Sequence, residues 1–445
     1  MTVMGFGKPT IVSRSKHTVS RKDIDPDALS VLRHLNRNGH KAYLVGGGVR
    51  DLLLGHKPKD FDISTDAEPQ QIKKLFRNCM LIGRRFRLAH IRFGRDKVIE
   101  TSTFRRTPEN NPAAESEDLV QWDDNVFGSP AEDARRRDFT VNALFYDLSD
   151  FSLIDHVGGI TDLRKGLIRS IGDPNVRFRE DPVRMLRAIR FAARLGFRIE
   201  SATRKAIIRH HADINLASPS RLLDEIIKLF MFHSSEASFF LLWELKLMSM
   251  LLPEVDAYVN ANGGREAPIW RHLAALDSEE HTEGAASVTL MLGVLFCDPV
   301  MRHVATARQA HDEASDAELI DGFMQGVSER FKIPKAVRYG CVRLFENQCR
   351  MDLLAAAPPD NKPRRKAMIR RFVQHDSFTD SLALLEMRTV AGTIDPECLS
   401  LWRHIQESEG AEGGTAGEPA VTESTSTNPV RRRHRRKPRH APSGS

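Results

Sequence analysis

The stretch GGGVRDLLLGHKPKDFDIST, residues 46–65, sets three glycines ahead of a short apolar segment and then places Asp60 and Asp62 on either side of Phe61. The preceding KAYLV, residues 41–45, reads as a buried strand, and VRDLLLG reads as a short helix. A glycine turn between them exposes backbone N–H groups at a positive helix end, where a triphosphate can bind. Arg50 follows one turn into that helix. On an extended segment, residues two apart project from one face, roughly 6.5 to 7 Å from each other. Asp60 and Asp62 are therefore expected to aim both carboxylates at one place while Phe61 turns into the core. Two like charges there call for a cation. Magnesium takes hard oxygen ligands and keeps one or two carboxylates plus substrate phosphates, and a pair of such ions stabilises both the attacking and the leaving oxygen in nucleotidyl transfer. An isolated D-x-D is ordinarily a solvent-facing turn, but here the glycines stand beside it. The rival reading of those glycines, a dinucleotide-binding turn, needs a third glycine in G-x-G-x-x-G, and that position holds Asp51. A Walker-type G-x-x-x-x-G-K-S/T is missing as well.

Around this segment helix and strand signals alternate. DPDALSVLRHLNRNG, residues 25–39, has Asp25 as a cap, Pro26 in the first turn and Gly39 as a stop. A helix EPQQIKKLFRNC and the strand candidates MLIGRRFRLAHIRF and DKVIETSTFRR follow. The fold class is α+β: a flexible N-terminus over 1–22, then a mixed-sheet head with helices over 23–155. Beyond residue 155 the pattern is almost wholly helical, giving a neck over 156–218 and a body over 219–405. Past residue 405 Gly, Ser, Thr and Glu dominate, ending in RRRHRRKPRH at 431–440, which predicts a disordered tail over 406–445 with a basic block.

At 445 residues the chain exceeds one ordinary core. No apolar run in it approaches the roughly 18 residues that span a bilayer, and the start lacks the apolar segment of a secretion signal, so no membrane partner and a cytoplasmic location are expected. Five scattered cysteines without a C-x-x-C pair argue against a disulfide framework and against a thiolate zinc site. The formal charge of +7 points to a polyanionic partner.

LVGGGVRDLLLG (44–55) followed by KDFDIST (59–65) resembles the head of the polymerase-β-type nucleotidyltransferases, in the branch shared by bacterial poly(A) polymerases and tRNA CCA-adding enzymes. RRRDFTVNALFYD (135–147), GGITDLRKGLIRSIGDP (158–174) and REDPVRMLRAIRFAARLGF (179–197) are similar to later motifs of that branch, in order. The resemblance implies that Asp60 and Asp62 bind catalytic magnesium, or manganese in its place, and that Asp138 is a further catalytic aspartate. It implies that Gly47 and Arg50 contact the phosphates of ATP and that Arg137 and Asn142 flank the nucleotide. Glu180, Asp181, Arg184 and Arg187 are implied to read the edge of the incoming base, a task that planar Arg forks suit better than Lys. From the residues alone, Glu100 on a neighbouring strand is a rival third carboxylate, and Asp138 reads equally as a helix cap. Arg184, Arg187, Arg190 and Arg194 form one stripe of a helix opposite Met185, Leu186 and Ile189, with Arg190 and Arg194 read as solvated.

The catalytic motifs do not separate A-tailing from CCA addition. GRRFRLAH, residues 83–90, resembles the poly(A) polymerase version of that stretch; without the resemblance it is a basic outer strand. The basic tail suits RNA backbone of any sequence. HDSF at His375 is a lone pair, so no metal phosphohydrolase site is expected in the C-terminal half. The expectation is a template-independent poly(A) polymerase transferring AMP from ATP to RNA 3′ ends, gripped by body and tail, with RNA-decay proteins as further partners. CCA addition to tRNA is the second reading, and a non-catalytic RNA-binding protein on a polymerase scaffold is the third.

Overall fold

The computed structural model describes residues 8–83, 88–95, 97–106, 127–278, 286–356 and 363–413. Eight strands form the main sheet: β1 (Thr10–Val12), β2 (Ala42–Val45), β3 (Asp62–Thr65), β4 (Cys79–Ile82), β5 (Leu88–Phe93), β6 (Lys97–Thr103), β7 (Leu144–Asp147) and β8 (Leu153–Asp155), in the order β1-β8-β7-β2-β3-β6-β5-β4. AYLV of β2 and LFYD of β7, each with three of its four residues buried, lie inside the sheet, where a strand is covered on both faces. All neighbours run antiparallel except β3 and β6, which are parallel.

Helix Pro26–Arg37 packs on one face of this sheet, with the Asp25 carboxylate accepting the N–H groups of Asp27 and Ala28 as its cap. Beyond β8 a two-stranded parallel piece, β9 (Leu167–Ile168) with β10 (Arg198–Ile199), is the last β-structure among the described residues, and the remainder is helical. EDPVRMLR bridges two helices: Glu180 ends Pro174–Glu180, Asp181 and Pro182 make the corner, and Val183–Leu195 follows until Gly196 stops it in the left-handed region.

Three expectations need correction. Residues 1–22 are not all flexible, because Thr10–Val12 pairs antiparallel with β8 and closes that edge of the sheet. The last helix, Pro396–Gly413, runs past the expected tail boundary at 405. One helix, Val288–Gln309, is long and apolar enough to cross a membrane by length and composition, although 67% of its most apolar 18-residue window is buried within the protein. Residues 84–87 of GRRFRLAH, and the basic block of the tail, lie outside the described residues.

The main core is continuous. It runs from Leu32, Leu44 and Ile63 in the head through Phe139, Leu186 and Ile189 to Phe239, Leu295 and Phe345 in the helical region. A smaller core holds the last helices together around Trp402, which is fully buried between Phe372 and Phe378 and donates its indole N–H to the Met351 carbonyl at 3.3 Å. Trp402→Ala is expected to lower unfolding stability by about 3–5 kcal/mol in denaturant titration, and a loss below about 1 kcal/mol would contradict this second core.

Candidate active site

β2 and β3 pair with Val45 opposite Asp62, so the glycine turn and the aspartates meet at one end of the pair. Gly46 makes the turn with φ of +75°, and a Cβ there would stand 3.0 Å from Arg137 Nη1. Gly48 is held by space, since a Cβ would come within 3.2 Å of the Asp60 carbonyl oxygen. β3 begins only at Asp62; Asp60 is presented from the exposed loop before it. The reason is topological: β2 leaves the sheet at Gly46, so residues ahead of Asp62 have no ladder partner on that side. The pair is thus half strand and half loop, unlike the step along one strand that its spacing predicts.

Burial pushes the Asp62 carboxyl up to about 6, with Glu100 and Asp60 adding to the rise and Arg137 opposing it. Glu100 reaches this place because the parallel register sets Ile63 beside Thr101, which puts Glu100 next to Asp62. Neither Asp60 nor Asp62 has an ion-pair partner among the described residues, and Glu100 has only His90, at 3.5 Å.

Asp138 has a different environment. Helix Pro130–Arg136 is capped by Ser129, the chain turns extended at Arg137, and Asp138 follows. Its Oδ1 accepts the Phe139 N–H at 2.8 Å and Asn142 Nδ2 at 3.2 Å, and its Oδ2 accepts Arg187 Nε and Nη2 at 2.8 and 2.6 Å. Burial works against ionisation, but Arg187 and these hydrogen bonds outweigh it and hold the carboxyl below its ordinary range. The residue implied as a third metal carboxylate is thus clasped by an arginine, and Glu100 is the carboxylate adjoining Asp62.

Arg50 is 1% exposed and largely committed: Nε and Nη2 donate to Asp51 Oδ1 at 2.8 and 2.6 Å, and Nη1 donates to Asn142 Oδ1 at 2.5 Å. It lies beneath Gly47, 3.5 Å from where a Cβ would be, and acts as a fixed positive floor rather than a free hand. Asp51, which breaks the dinucleotide pattern, also accepts Arg194 Nη2 at 3.0 Å. Arg137 is tied to Asp133 at 3.1 Å and to the Asn142 carbonyl at 3.4 Å.

The arginine stripe of helix Val183–Leu195 faces this cleft along its length. Arg190 meets Glu225 at 3.1 Å and Arg194 meets Asp51, and with side chains 12% and 20% exposed neither is solvated as the sequence suggested. Arg194 also lies over Phe232, 3.9 Å from the ring centroid. Asp181, Arg184 and Arg187 line the cleft as expected, with Asp181 paired to Arg221 at 2.9 Å. Glu180 does not line it; it sits behind, bound by Arg177 and Arg184 at 2.8 and 3.2 Å. Sequence reasoning missed Glu225, a buried carboxylate on helix Pro219–Leu229 that meets Arg187 and Arg190 and also accepts Lys228. No local signal marks its role, because its arginine partners lie more than thirty residues upstream on another helix.

The resulting cleft has a volume of about 690 Å³ and is lined by nine Arg and Lys against seven Asp and Glu. Most of those charges neutralise one another. Among the described residues Asp60 and Asp62, beside the glycine turn, meet no cationic side chain, and neither does Asp224 at the helical side of the cleft.

A mixed sheet carrying a glycine turn and an Asp pair, joined to a helical neck and body, is the architecture of a nucleotidyltransferase. Its fold matches the Bacillus stearothermophilus CCA-adding enzyme in complex with CTP, with a TM-score of 0.63 at 23% identity over 87% of this chain and 83% of that one. The matching family models are the Poly A polymerase head domain over residues 42–169, the probable RNA and SrmB-binding site of polymerase A over 196–259, and the polymerase A arginine-rich C-terminus over 309–440. Poly(A) polymerase I of Salmonella typhi is 37% identical over 445 residues, 97% of this chain and 92% of that protein. Poly(A) polymerase I of Escherichia coli O6:H1 is 46% identical over 299 residues, and the match spans 64% of its length. The CCA-adding enzyme of Lactobacillus johnsonii matches 48% of this chain at 39% identity. The chain belongs to the bacterial poly(A) polymerase family.

The raised Asp62 carboxyl has a measurable sign. A carboxyl that titrates near 6 when folded and near 3.8 otherwise favours the folded state when protonated, so stability falls as pH rises through that window. Asp62→Asn is expected to raise the melting temperature of metal-free protein by a few degrees at pH 8 and to leave it unchanged at pH 3.5. Equal shifts at both pH values would contradict the assignment.

Proposed function

We propose that the chain is a template-independent polynucleotide adenylyltransferase that transfers AMP from ATP to an RNA 3′-hydroxyl and releases pyrophosphate. The observation that carries this reading is the uncompensated Asp60 and Asp62 pair at a glycine turn, in a chain similar to poly(A) polymerase I over nearly its whole length. The match to the CCA-adding enzyme of Lactobacillus johnsonii covers 48% of this chain.

Asp60 and Asp62, with Glu100 beside them, make an oxygen-only donor set of unbalanced negative charge, which fits magnesium or manganese. Among the described residues no three His, Cys, Asp or Glu side chains form a closed cage, which suits an ion that keeps water and substrate phosphates as ligands. When bound, such ions activate the 3′-hydroxyl and take up charge on the leaving pyrophosphate.

The rest is positioning by the protein's own groups. The backbone around Gly46 and Gly47, over the buried Arg50, receives the triphosphate, and Arg137 and Asn142 wall the nucleotide on the sheet side. Asp138 acts through Arg187, fixing the guanidinium so that it and Arg184 face the base together with Asp181. Head, neck and body thus divide into phosphate chemistry, base reading and RNA grip. The match of residues 196–259 to a probable RNA and SrmB-binding region supports an RNA and a protein partner there, and RNA-decay proteins fit that role. A cytoplasmic location is part of the same proposal.

The test is extension with ATP alone, CTP alone and both, on an unstructured RNA and on a tRNA lacking its end. Long A tails on the unstructured RNA are expected, and three-nucleotide growth confined to the tRNA would decide for CCA addition. Asp60→Ala and Asp62→Ala are expected to reduce extension to background with RNA binding retained; appreciable extension by the double variant would sink the site assignment.

A further inference from the structure

The arginines of the catalytic cleft are nearly all neutralised by buried or half-buried carboxylates. A second concentration of arginine includes four that meet no carboxylate among the described residues. It lies between helix Lys335–Ala356 and helix Pro363–Val373, around a groove of about 880 Å³ lined by five arginines and one acid, Glu346. On the first helix Tyr339, Arg343 and Arg350 fall four and seven residues apart, and on the second Arg364, Met368 and Arg371 fall four and three apart. Each set is one face of its helix, and the two faces look at each other across the groove. Among the described residues none of Arg343, Arg350, Arg364 and Arg371 meets a carboxylate.

Two arginines are pre-set by neutral neighbours. Arg343 Nη1 donates to His375 Nε2 at 2.8 Å, and the ring is steadied through Nδ1 by Ser377, 2.9 Å from its hydroxyl. Arg350 lies over the Phe372 ring, 5.4 Å from the centroid. At the far side of Arg343 and His375 the groove opens into a second hollow edged by Tyr339, whose ring is 56% exposed. Met368 is exposed as well, at 45%. A groove edged by four guanidinium groups that meet no carboxylate, with the exposed Tyr339 ring at one end carrying the Arg338 guanidinium 4.8 Å from its centroid, suits a single-stranded polyanion: charges follow the backbone, and a base stacks on the ring without regard to sequence.

We propose that this groove binds the backbone of the single-stranded RNA upstream of the 3′ end under extension, with Tyr339 stacking on one of its bases. The proposal rests on the polymerase reading for the identity of the polyanion. It places part of the body's RNA grip on folded helices, apart from the basic tail, and gives His375 a purpose in setting Arg343.

The experiment uses the full chain and equilibrium binding of a single-stranded RNA, without nucleotide, across a salt series. Arg364→Glu with Arg371→Glu is expected to raise Kd on the order of tenfold and to flatten the slope of log Kd against log salt by about 0.7 for each phosphate that is no longer held. Arg364→Lys with Arg371→Lys, which keeps the charge, is expected to hold the wild-type slope. Tyr339→Ala is expected to weaken binding several-fold with an unchanged slope, the mark of a stacking interaction. All variants are expected to incorporate the first AMP at the wild-type rate when RNA is saturating. A wild-type Kd and salt slope in the Arg364→Glu, Arg371→Glu chain, with the whole salt dependence abolished instead on removing residues beyond 429, would overturn the groove. Failure of the polymerase reading shows separately, as a wild-type chain that binds RNA and incorporates no nucleotide.

Discussion

The bidentate contact between Asp138 and Arg187 joins the sheet to the helices, and the arrangement of the cleft depends on it. It is the middle link of a chain that begins at Arg194, passes through Asp51, Arg50 and Asn142 to Asp138, and continues through Arg187 to Glu225 and Arg190. A buried charge without its partner costs several kcal/mol, on the order of 3–5 when one member of a pair is removed. Here each member between the two end arginines has a partner on both sides, so phosphate floor, sheet edge and arginine stripe are mutually fixed. The burial that lowers the Arg50 pKa and the carboxylate that raises it again belong to this one network.

Against that background the aspartates of the D-x-D stand out by having no cation. Asp62 is buried, adjoins Glu100 and shares its surroundings with Asp60, and its raised carboxyl shows the cost of leaving it so. The protein neutralises almost every other charge in the cleft with its own side chains. The negative charge that remains is concentrated at the end of β3, beside the glycine turn.

Much of this was legible in the sequence, for physical reasons. A glycine turn, an Asp25 cap and a Gly196 stop are local devices, and the structure has them where the residues require. The arginine stripe was visible as a period. Which side of the helix met solvent was not, because Arg190 and Arg194 are covered by Glu225 and Asp51, residues distant in the chain. The place of Glu100 depends on a parallel register between β3 and β6 that no local pattern encodes. The edge strand Thr10–Val12 was missed for the same reason, since three residues acquire their conformation only from β8. Asp60 left the strand because its would-be neighbour had turned away at Gly46.

The continuous core between head and neck has a consequence for measurement. Phe139 on the sheet side packs edge-on against Phe191 of the arginine-bearing helix at 6.0 Å, and apolar neighbours extend that contact on both sides. A joint of that kind does not swing freely, because opening it would expose the packed surface to water. The span between the glycine turn and the arginine stripe is therefore set by packing before any nucleotide arrives. In this chain the width of that gap is set by two phenyl rings, one of which, Phe191, itself lines the cleft.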